Sequence, residues 1–240
     1  MLFYWCLINT VLLFATTNGK PWDAQSSADP NWWIAYNAHR TQTQVHAKNT
    51  RVVFYGDSLT FAWYTTGQSI WNAMYAARGA LNYGIAGDCT QQVLWRLRNG
   101  ELDGLQQQPK LFVLMIGTNN LAGSSVCQAA SADETAVGIQ TIVQEVRRRL
   151  PQTKILLLGI LPRAQGLYAD SIARVNLDLM NLVDNNWIHY MNMISQFQIS
   201  HTQQKLELYD PTDPSHTHLN LAGYQVWYQT MEPLFNQLIN

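Results

Sequence analysis

Five short apolar segments, each ending at a glycine or another turn residue, constrain the fold of this chain more than any other feature. They cover residues 51–56, 80–84, 110–117, 153–161 and, more weakly, 187–193. Continuous apolar runs of this length are typical of strands that are buried on both faces. Helical patterns lie between them, and strands that alternate with helices form a parallel sheet covered by helices on both sides. The sequence therefore predicts an α/β fold.

Two longer segments, residues 132–150 and 220–239, predict amphipathic helices. The first ends in three arginines, which suit the negative end of a helix dipole, and Pro151 then stops it. Each segment repeats apolar residues at helical spacing, so these stripes are expected to face the core. The stripes are Val137, Ile142, Val143, Val146 and Leu150 in the first segment, and Leu221, Tyr224, Tyr228, Met231, Phe235 and Leu238 in the second.

The first residues of the chain predict a segment that is removed from the mature protein. Residues 2–15 are mostly apolar, and the chain then becomes small and polar. This length suits a secretory signal peptide and is short for a membrane span, although no positive charge precedes it. We predict a cleaved signal over residues 1–19, with an uncleaved anchor as the alternative, and a single domain over residues 20–240. The mature protein should be secreted or lie in the lumen of the secretory pathway, without a stable membrane span.

Charge and cysteine content narrow the environment and the partners. The 15 basic residues nearly balance the 16 acidic residues and form no basic stripe, so a nucleic-acid partner is not expected. Without the predicted signal, the cysteines that remain are Cys89 and Cys127. In an oxidising compartment they would form one disulfide; the alternative is two free thiols that pack as small apolar residues.

Polar residues suited to nucleophilic catalysis follow the predicted strands. Ser58 follows the first strand, Gly87 the second and Asn119 the third, while His218 precedes the last helix. Ligands of parallel α/β sheets bind at the carboxyl ends of the strands. A histidine can activate a serine hydroxyl, and backbone N–H groups together with an asparagine amide can stabilise an oxyanion. The pattern therefore favours ester hydrolysis through a serine.

Four blocks of the chain, VFYGDSLT, NYGIAGDCTQQVLWRLRNGELDGL, MIGTNN and HLNLAGY, resemble those of the GDSL or SGNH hydrolases. VLWRLRNGELDGL and ILLLGILPR are similar to the catalytic alpha subunits of intracellular type Ib platelet-activating-factor acetylhydrolase and their bacterial relatives. The resemblance covers roughly residues 31–239. It implies a flavodoxin-like three-layer α/β/α sandwich with a five-stranded parallel sheet. It also implies a serine esterase that needs no cofactor and acts on small acyl esters, chiefly acetyl esters, of lipid or carbohydrate.

The resemblance also implies a role for each matching residue. Ser58 would be the nucleophile and would donate its backbone N–H to the oxyanion, together with the N–H of Gly87 and the side-chain amide of Asn119. His218 would be the base. The catalytic subunits of that family dimerise, so a homodimer is an open expectation.

One position departs from the family pattern, which has an aspartate three residues before the histidine. Here that position is Ser215. Ser215 or a carbonyl could orient His218; Asp213 or Asp210 could reach it from a rearranged loop; or His216 could be the base, since it keeps the family spacing from Asp213. We expect His218 as the base and Asp213 as the acid. The two histidines could also bind a metal, but the sequence implies no third ligand, so no metal site is predicted.

The same departure supports a competing hypothesis, a non-catalytic binding or interaction module that retains the hydrolase fold. The intact serine, glycine and asparagine blocks favour the esterase. A substrate pocket is expected around residues 59–64, 120–125 and 162–168, which follow three strands. The remaining histidines, His39, His46, His189 and His201, match no block and are not expected to take part in catalysis.

Overall fold

A computed structural model describes residues 19–240, so all but the last residue of the predicted signal segment lies outside the described residues. The five predicted strands form one parallel sheet in the order β2-β1-β3-β4-β5, the flavodoxin-like order. They are β1 (Val52–Gly56), β2 (Ala80–Gly84), β3 (Leu111–Met115), β4 (Lys154–Leu158) and β5 (Ile188–Met191). A short antiparallel pair follows, β6 (Gln198–Ser200) and β7 (Gln203–Gln204). The predicted fold is confirmed.

Helices cover both faces and one edge of the sheet. The sheet separates two apolar clusters, and α3 and α9 pack on one face while α4, α6 and α7 pack on the other. The helices are α1 (Pro30–Val45), α2 (Ser58–Phe61), α3 (Gln68–Met74), α4 (Thr90–Arg98), α5 (Thr118–Ala122), α6 (Ala132–Arg149), α7 (Ala169–Met180), α8 (Ile194–Phe197) and α9 (Leu221–Ile239). Within residues 19–240, no helix is long and apolar enough to cross a membrane.

Side-chain alternation along the strands divides the core. In β1, Val52 and Phe54 face the cluster beneath α9, whereas Val53 and Tyr55 face the cluster beneath α4 and α6. All four side chains are fully or almost fully buried, which explains why the strand reads as a continuous apolar run. The three strands nearest the site also end at the same level, since Gly56 pairs with both Gly84 and Met115. Loops that leave these strands therefore meet at one edge.

The predicted apolar stripes are correct except at one residue in each helix. Val137 is 42% exposed, because it lies five residues from Ile142 and is therefore rotated by roughly 140° around the helix from it. Leu221 is 51% exposed, because it is the first residue of α9, next to the capping Asn220. The other predicted residues are buried or half-buried: Ile142, Val143, Val146, Leu150, Tyr224, Tyr228, Met231, Phe235 and Leu238.

Candidate active site

Ser58 is the first residue of α2 and stands directly above the carboxyl end of β1. The preceding Asp57 caps this helix, since its Oδ1 accepts the N–H of Leu59 at 2.9 Å. Gly56 is required just before the turn, because a Cβ there would overlap both the carbonyl oxygen of Met115 and the hydroxyl of Thr60. The tight strand-to-helix turn therefore presents the Ser58 hydroxyl at the sheet edge.

His218 contacts Ser58 on one side of its ring and Asp213 on the other. Its Nε2 lies 2.9 Å from Oγ of Ser58, and its Nδ1 lies 2.8 Å from Oδ2 of Asp213. The side chain of His218 is 45% exposed, while that of Asp213 is 12% exposed. This is the arrangement in which a carboxylate orients an imidazole and the imidazole takes a proton from serine.

Asp213 is held by the residues that separate it from His218. The backbone N–H groups of Thr217 and His218 donate to its Oδ2 at 3.0 and 2.9 Å, and the N–H and hydroxyl of Ser215 donate to Oδ1 at 2.9 and 2.7 Å. Partial burial alone would raise the pKa of Asp213. The hydrogen bonds from the Ser215 hydroxyl and from the backbone outweigh burial, so the pKa lies well below its usual value.

The other residues considered for the histidine and acid positions have different partners. Oδ1 of Asp210 accepts the N–H and the hydroxyl of Thr212, at 2.8 and 2.7 Å. His216 has a left-handed backbone with φ of 42°, and its carbonyl accepts a hydrogen bond from Gln204 at 2.9 Å. Ser215 bonds to Asp213. The residues that contact one another in a chain are Ser58, His218 and Asp213. The contact between His218 and Asp213 gives the imidazole a carboxylate partner. The lack of an aspartate three residues before His218 therefore no longer favours a non-catalytic module.

Besides Ser58, the residues predicted for the oxyanion hole lie after β2 and β3, the two strands that neighbour β1 in the sheet. Gly87 has a left-handed backbone with φ of 82°, which favours glycine, in the turn after β2. Asn119, in α5 after β3, donates its side-chain amide to the carbonyl of Asp88 at 2.9 Å. That bond places the amide next to the Gly87 turn, and among residues 19–240 no partner takes its second hydrogen. The N–H of Gly87 and the amide of Asn119 thus flank the loop that carries Ser58.

A buried guanidinium, which the sequence analysis missed, fixes the turn that carries Gly87. Arg96 on α4 has no exposed surface and pairs with Asp88 at 2.8 Å and with Glu101 at 2.6 Å. It also donates to the carbonyl oxygens of Tyr83 at 3.0 Å and Gly56 at 3.3 Å. One side chain therefore ties the ends of β1 and β2 together. The available signal was an arginine among the apolar residues of α4, with acidic residues on both sides in the sequence.

Two residues of α1 complete this network. The indole N–H of Trp32 donates to Oδ1 of Asp88 at 2.6 Å, and Nδ1 of His39 lies 2.9 Å from Glu101. Burial raises the pKa of Asp88 to about 7, against the opposing effects of Arg96 and the Trp32 N–H. Burial also acts to raise the pKa of Glu101, but Arg96 and His39 outweigh it and the pKa is lowered. His39, expected to be an ordinary histidine, therefore supports this network.

Asp57 is a second buried carboxyl group at the site. Its side chain is completely buried, and Oδ2 has no hydrogen-bond partner among the described residues. Burial raises its pKa to about 6, although the Leu59 N–H and the nearby charges of His218 and Arg163 favour the ionised form. Arg163, which follows β4 in the predicted pocket region, donates to the carbonyl and hydroxyl of Thr118 at 3.0 and 3.1 Å.

The structure joins Cys89 and Cys127 in a disulfide. Cys89 lies two residues after Gly87, and Cys127 lies eight residues after Asn119. The bond therefore connects the two loops that carry the predicted oxyanion donors. The hydroxyl of Ser124 adds a second connection, since it donates to the carbonyl of Gly87 at 2.9 Å.

Fold and site together define an ester hydrolase, and comparisons with known proteins give its family. The model of the GDSL-like Lipase/Acylhydrolase family matches residues 54–226. The chain is 33% identical over 223 residues to platelet-activating factor acetylhydrolase IB subunit alpha1 of Bos taurus, covering 92% of this chain and 89% of the bovine protein. It is 39% identical over 146 residues to the human alpha1 subunit, covering 61% of this chain and 58% of that protein. The chain therefore belongs to the GDSL-like lipase/acylhydrolase family and is a carboxylic ester hydrolase.

Solved structures agree on the fold. A member of the lipolytic protein G-D-S-L family from Veillonella parvula superposes with a TM-score of 0.60 at 17% identity, covering 78% of this chain and 98% of that chain. A carbohydrate esterase family 3 protein from Talaromyces cellulolyticus superposes with a TM-score of 0.54 at 15% identity, covering 79% and 98%.

Proposed function

We propose that this protein is a secreted serine esterase that hydrolyses acetyl and other small acyl esters of lipid or carbohydrate through an acyl-enzyme on Ser58. The observation that carries the proposal is the continuous contact from Ser58 to His218 to Asp213, at 2.9 and 2.8 Å. A serine hydroxyl is a weak nucleophile until a base accepts its proton, and an ion-paired imidazole is such a base.

The proposed reaction has two half-reactions on the same residues. In the first, Oγ of Ser58 attacks the ester carbonyl carbon while Nε2 of His218 takes the hydroxyl proton. Asp213 stabilises the imidazolium that forms. His218 then gives the proton to the leaving alcohol, which departs and leaves the acyl group on Ser58. In the second half-reaction, water gives a proton to His218 and attacks the acyl-enzyme. The bond between the acyl carbon and Oγ of Ser58 then breaks, His218 returns the proton to Oγ, and the carboxylic acid is released.

The oxyanion of each tetrahedral intermediate would receive three hydrogen bonds. The donors are the backbone N–H groups of Ser58 and Gly87 and the second amide hydrogen of Asn119. Such donors act on charge that develops in the transition state, and removal of one costs on the order of 10²–10³ in kcat in a serine protease. The bond from Asn119 to the Asp88 carbonyl orients the amide before substrate binds, so little reorganisation is needed.

Two further observations support the finer parts of the proposal. The mammalian relatives are named as acetylhydrolases of platelet-activating factor, which favours acetyl as the acyl group to test first. The apolar segment over residues 2–15 and the disulfide between Cys89 and Cys127 both suit a protein that passes through an oxidising secretory compartment. Expression in secreting cells, followed by N-terminal sequencing of protein from the medium, tests export. A new terminus near residue 20 is expected, whereas full-length protein retained in the cell would contradict it.

Hydrolysis of p-nitrophenyl acetate by residues 20–240 tests the catalytic assignment. We expect Ser58→Ala and His218→Ala to lower kcat by on the order of 10⁴-fold or more, since each removes a member of the proton-transfer relay. His216→Ala is the matched control and should stay within about threefold of the parent, because the imidazole that contacts Ser58 and Asp213 is that of His218.

Three results would contradict the assignment. Turnover that survives in Ser58→Ala would exclude Ser58 as the nucleophile. Loss in His216→Ala with survival in His218→Ala would move the base by two residues. An inactive parent that also fails to react with a fluorophosphonate probe would exclude an activated serine.

A further inference from the structure

An apolar groove of about 380 Å³ lies beside the candidate active site, between α1 and the loops after β2 and α5. Its volume is within the roughly 300–1,000 Å³ of small-molecule pockets. The side chain of Phe61 is 42% exposed there, which is unusual for a large aromatic residue in a packed α/β domain. We call it the α1 groove; the apolar residues that line it include Trp32, Ala35, Ala38, Phe61, Ile85 and Val126.

The α1 groove is continuous with the catalytic loops. Phe61 is the last residue of the four-residue helix that begins at Ser58. Ala86, which also lines the groove, directly precedes Gly87. The hydroxyl of Ser125, another lining residue, lies 3.9 Å from the position that a Cβ on Gly87 would occupy. The groove is therefore lined by residues of the same two segments that carry Ser58 and Gly87.

The groove also shares a wall with the buried network. Trp32 presents its ring to the groove while its N–H holds Asp88, the residue after Gly87. The groove wall is thus fixed relative to the predicted oxyanion donor. A preorganised wall of this kind suits recognition of a bound group, because ordering it costs little on binding.

We propose that the α1 groove binds the apolar alcohol portion of the ester substrate. This inference rests on the proposed function, in which Ser58 receives a small acyl group. An acetyl group has only two carbons and cannot fill a groove of about 380 Å³, so the remainder of the substrate, the alcohol, is the group that fits it.

The charges at the groove select the class of alcohol. Asp29 lines the groove and carries a carboxylate, and the His39 ring at the same wall is bonded to Glu101. All the lining residues lie in the described part of the chain, and none of them is a lysine or an arginine. The groove therefore gives no counter-charge for a phosphate or sulfate, and its apolar walls fit an alkyl or aryl group.

The test is a series of alkyl acetates from ethyl to hexyl acetate, followed by acid release at constant pH. Full burial of one methylene is worth roughly a fourfold gain in affinity, so partial burial of four methylenes should raise kcat/KM at least about tenfold across the series. Ala38→Glu places a charge in the groove and should flatten this dependence. The readout is the ratio of hexyl to ethyl acetate within each variant, which does not depend on the amount of active enzyme.

Asn37→Glu is the matched control. Asn37 neighbours Ala38 in α1, is exposed and does not line the groove. The Asn37→Glu substitution adds the same charge to the same helix as Ala38→Glu does, and glutamate favours a helix at least as well as asparagine. The chain-length dependence should persist in Asn37→Glu. Equal flattening in both variants would overturn the proposal.

A parallel series of p-nitrophenyl esters from acetate to hexanoate distinguishes the alcohol from the acyl group. If kcat/KM rises along this acyl series and Ala38→Glu abolishes the rise, the groove holds the acyl chain and the proposal is wrong. Ser58-dependent hydrolysis of all acetates without any dependence on alcohol length would also overturn it, while leaving the proposed function intact.

Binding of 1-hexanol to Ser58→Ala distinguishes failure of the proposed function from failure of the groove proposal. The measurement is a thermal shift, with ethanol as the comparison. The groove proposal predicts a higher melting temperature with 1-hexanol in Ser58→Ala and in Ser58→Ala/Asn37→Glu, but not in Ser58→Ala/Ala38→Glu. If no ester is hydrolysed by the parent and this pattern still appears, the proposed reaction fails and the groove assignment stands. The absence of any shift would overturn the groove assignment.

Discussion

The two halves of the candidate site are held in place by different kinds of interaction. The oxyanion turn, residues 84–88, is fixed by the fully buried Arg96, which also contacts β1 and β2. In the histidine loop, residues 209–220, Asp213 is held by the loop itself, because the hydrogen bonds to its side chain come from residues 215–218. The His218 side chain is 45% exposed, whereas Arg96 is not exposed at all.

This difference separates stability from activity. The support of the oxyanion turn is part of the core, so a substitution there leaves buried charges without partners and destabilises the whole domain. The support of the histidine loop is partly hydrated, so a substitution there should disturb the orientation of His218 and should affect unfolding less than a substitution of the buried Arg96 does. Changes in the support of the oxyanion turn and in the histidine loop test the two sides of this comparison.

The largest effect is expected for Asp213→Asn. The amide cannot stabilise an imidazolium as the carboxylate does and favours the wrong tautomer, so kcat should fall by up to about 10⁴-fold, as for the corresponding change in a serine protease. The free energy of unfolding should fall by about 1–3 kcal/mol, because the amide NH₂ replaces an oxygen that accepts hydrogen bonds from the loop. Asp210→Asn, in the same loop but bonded to Thr212, is the control and should stay within about threefold of the parent. Comparable kcat values in the two variants would show that Asp213 does not orient the base.

The second-largest effect is expected for Arg96→Met, which removes the buried support of the oxyanion turn. It leaves Asp88 and Glu101 buried without their counter-charge, so the free energy of unfolding should fall by about 3–5 kcal/mol. Urea unfolding at neutral pH measures it. Arg98→Met removes an arginine from the same helix that is 42% exposed and bonded to Glu145, and should cost about 1 kcal/mol or less. Similar losses in both would show that the buried network does not stabilise the domain more than a surface pair.

Reduction of the disulfide should have the third-largest effect. It closes a loop of 38 residues between the two oxyanion loops, so reduction should lower the free energy of unfolding by roughly 2–4 kcal/mol. Unfolding curves with and without reductant measure the change. The double variant Cys89→Ala/Cys127→Ala is the control, and its curve should not respond to reductant. Two free thiols in the unreduced mature protein would contradict the pairing.

The sequence predicted the parts of the molecule that a local sequence pattern is enough to identify. The five strands are continuous apolar runs, and Ser58, Gly87 and Asn119 each lie directly after a strand end, so local patterns were enough. Arg96 was missed because its partners are separated from it in the sequence and only the fold shows that it is buried. The acid position stayed open among several residues because the left-handed turn at His216 sets which carboxylate reaches His218.

The smallest effect is expected for Ser215→Ala, which tests how far the histidine loop depends on a single side chain. The hydroxyl contacts with Asp213 and with the Thr217 hydroxyl are lost, while the backbone N–H groups of residues 215, 217 and 218 remain on Asp213. The kcat value should therefore fall less than about tenfold, and the free energy of unfolding by about 1 kcal/mol. The hydroxyl helps to lower the pKa of Asp213, so its contribution exists above the ordinary pKa of an aspartate and disappears as the pH falls through the lowered pKa. The stability difference between parent and Ser215→Ala should thus be constant from pH 7 to about pH 5 and should shrink in more acidic solution. A difference that grows as the pH falls would show that Ser215 stabilises the loop by a route other than the Asp213 carboxylate.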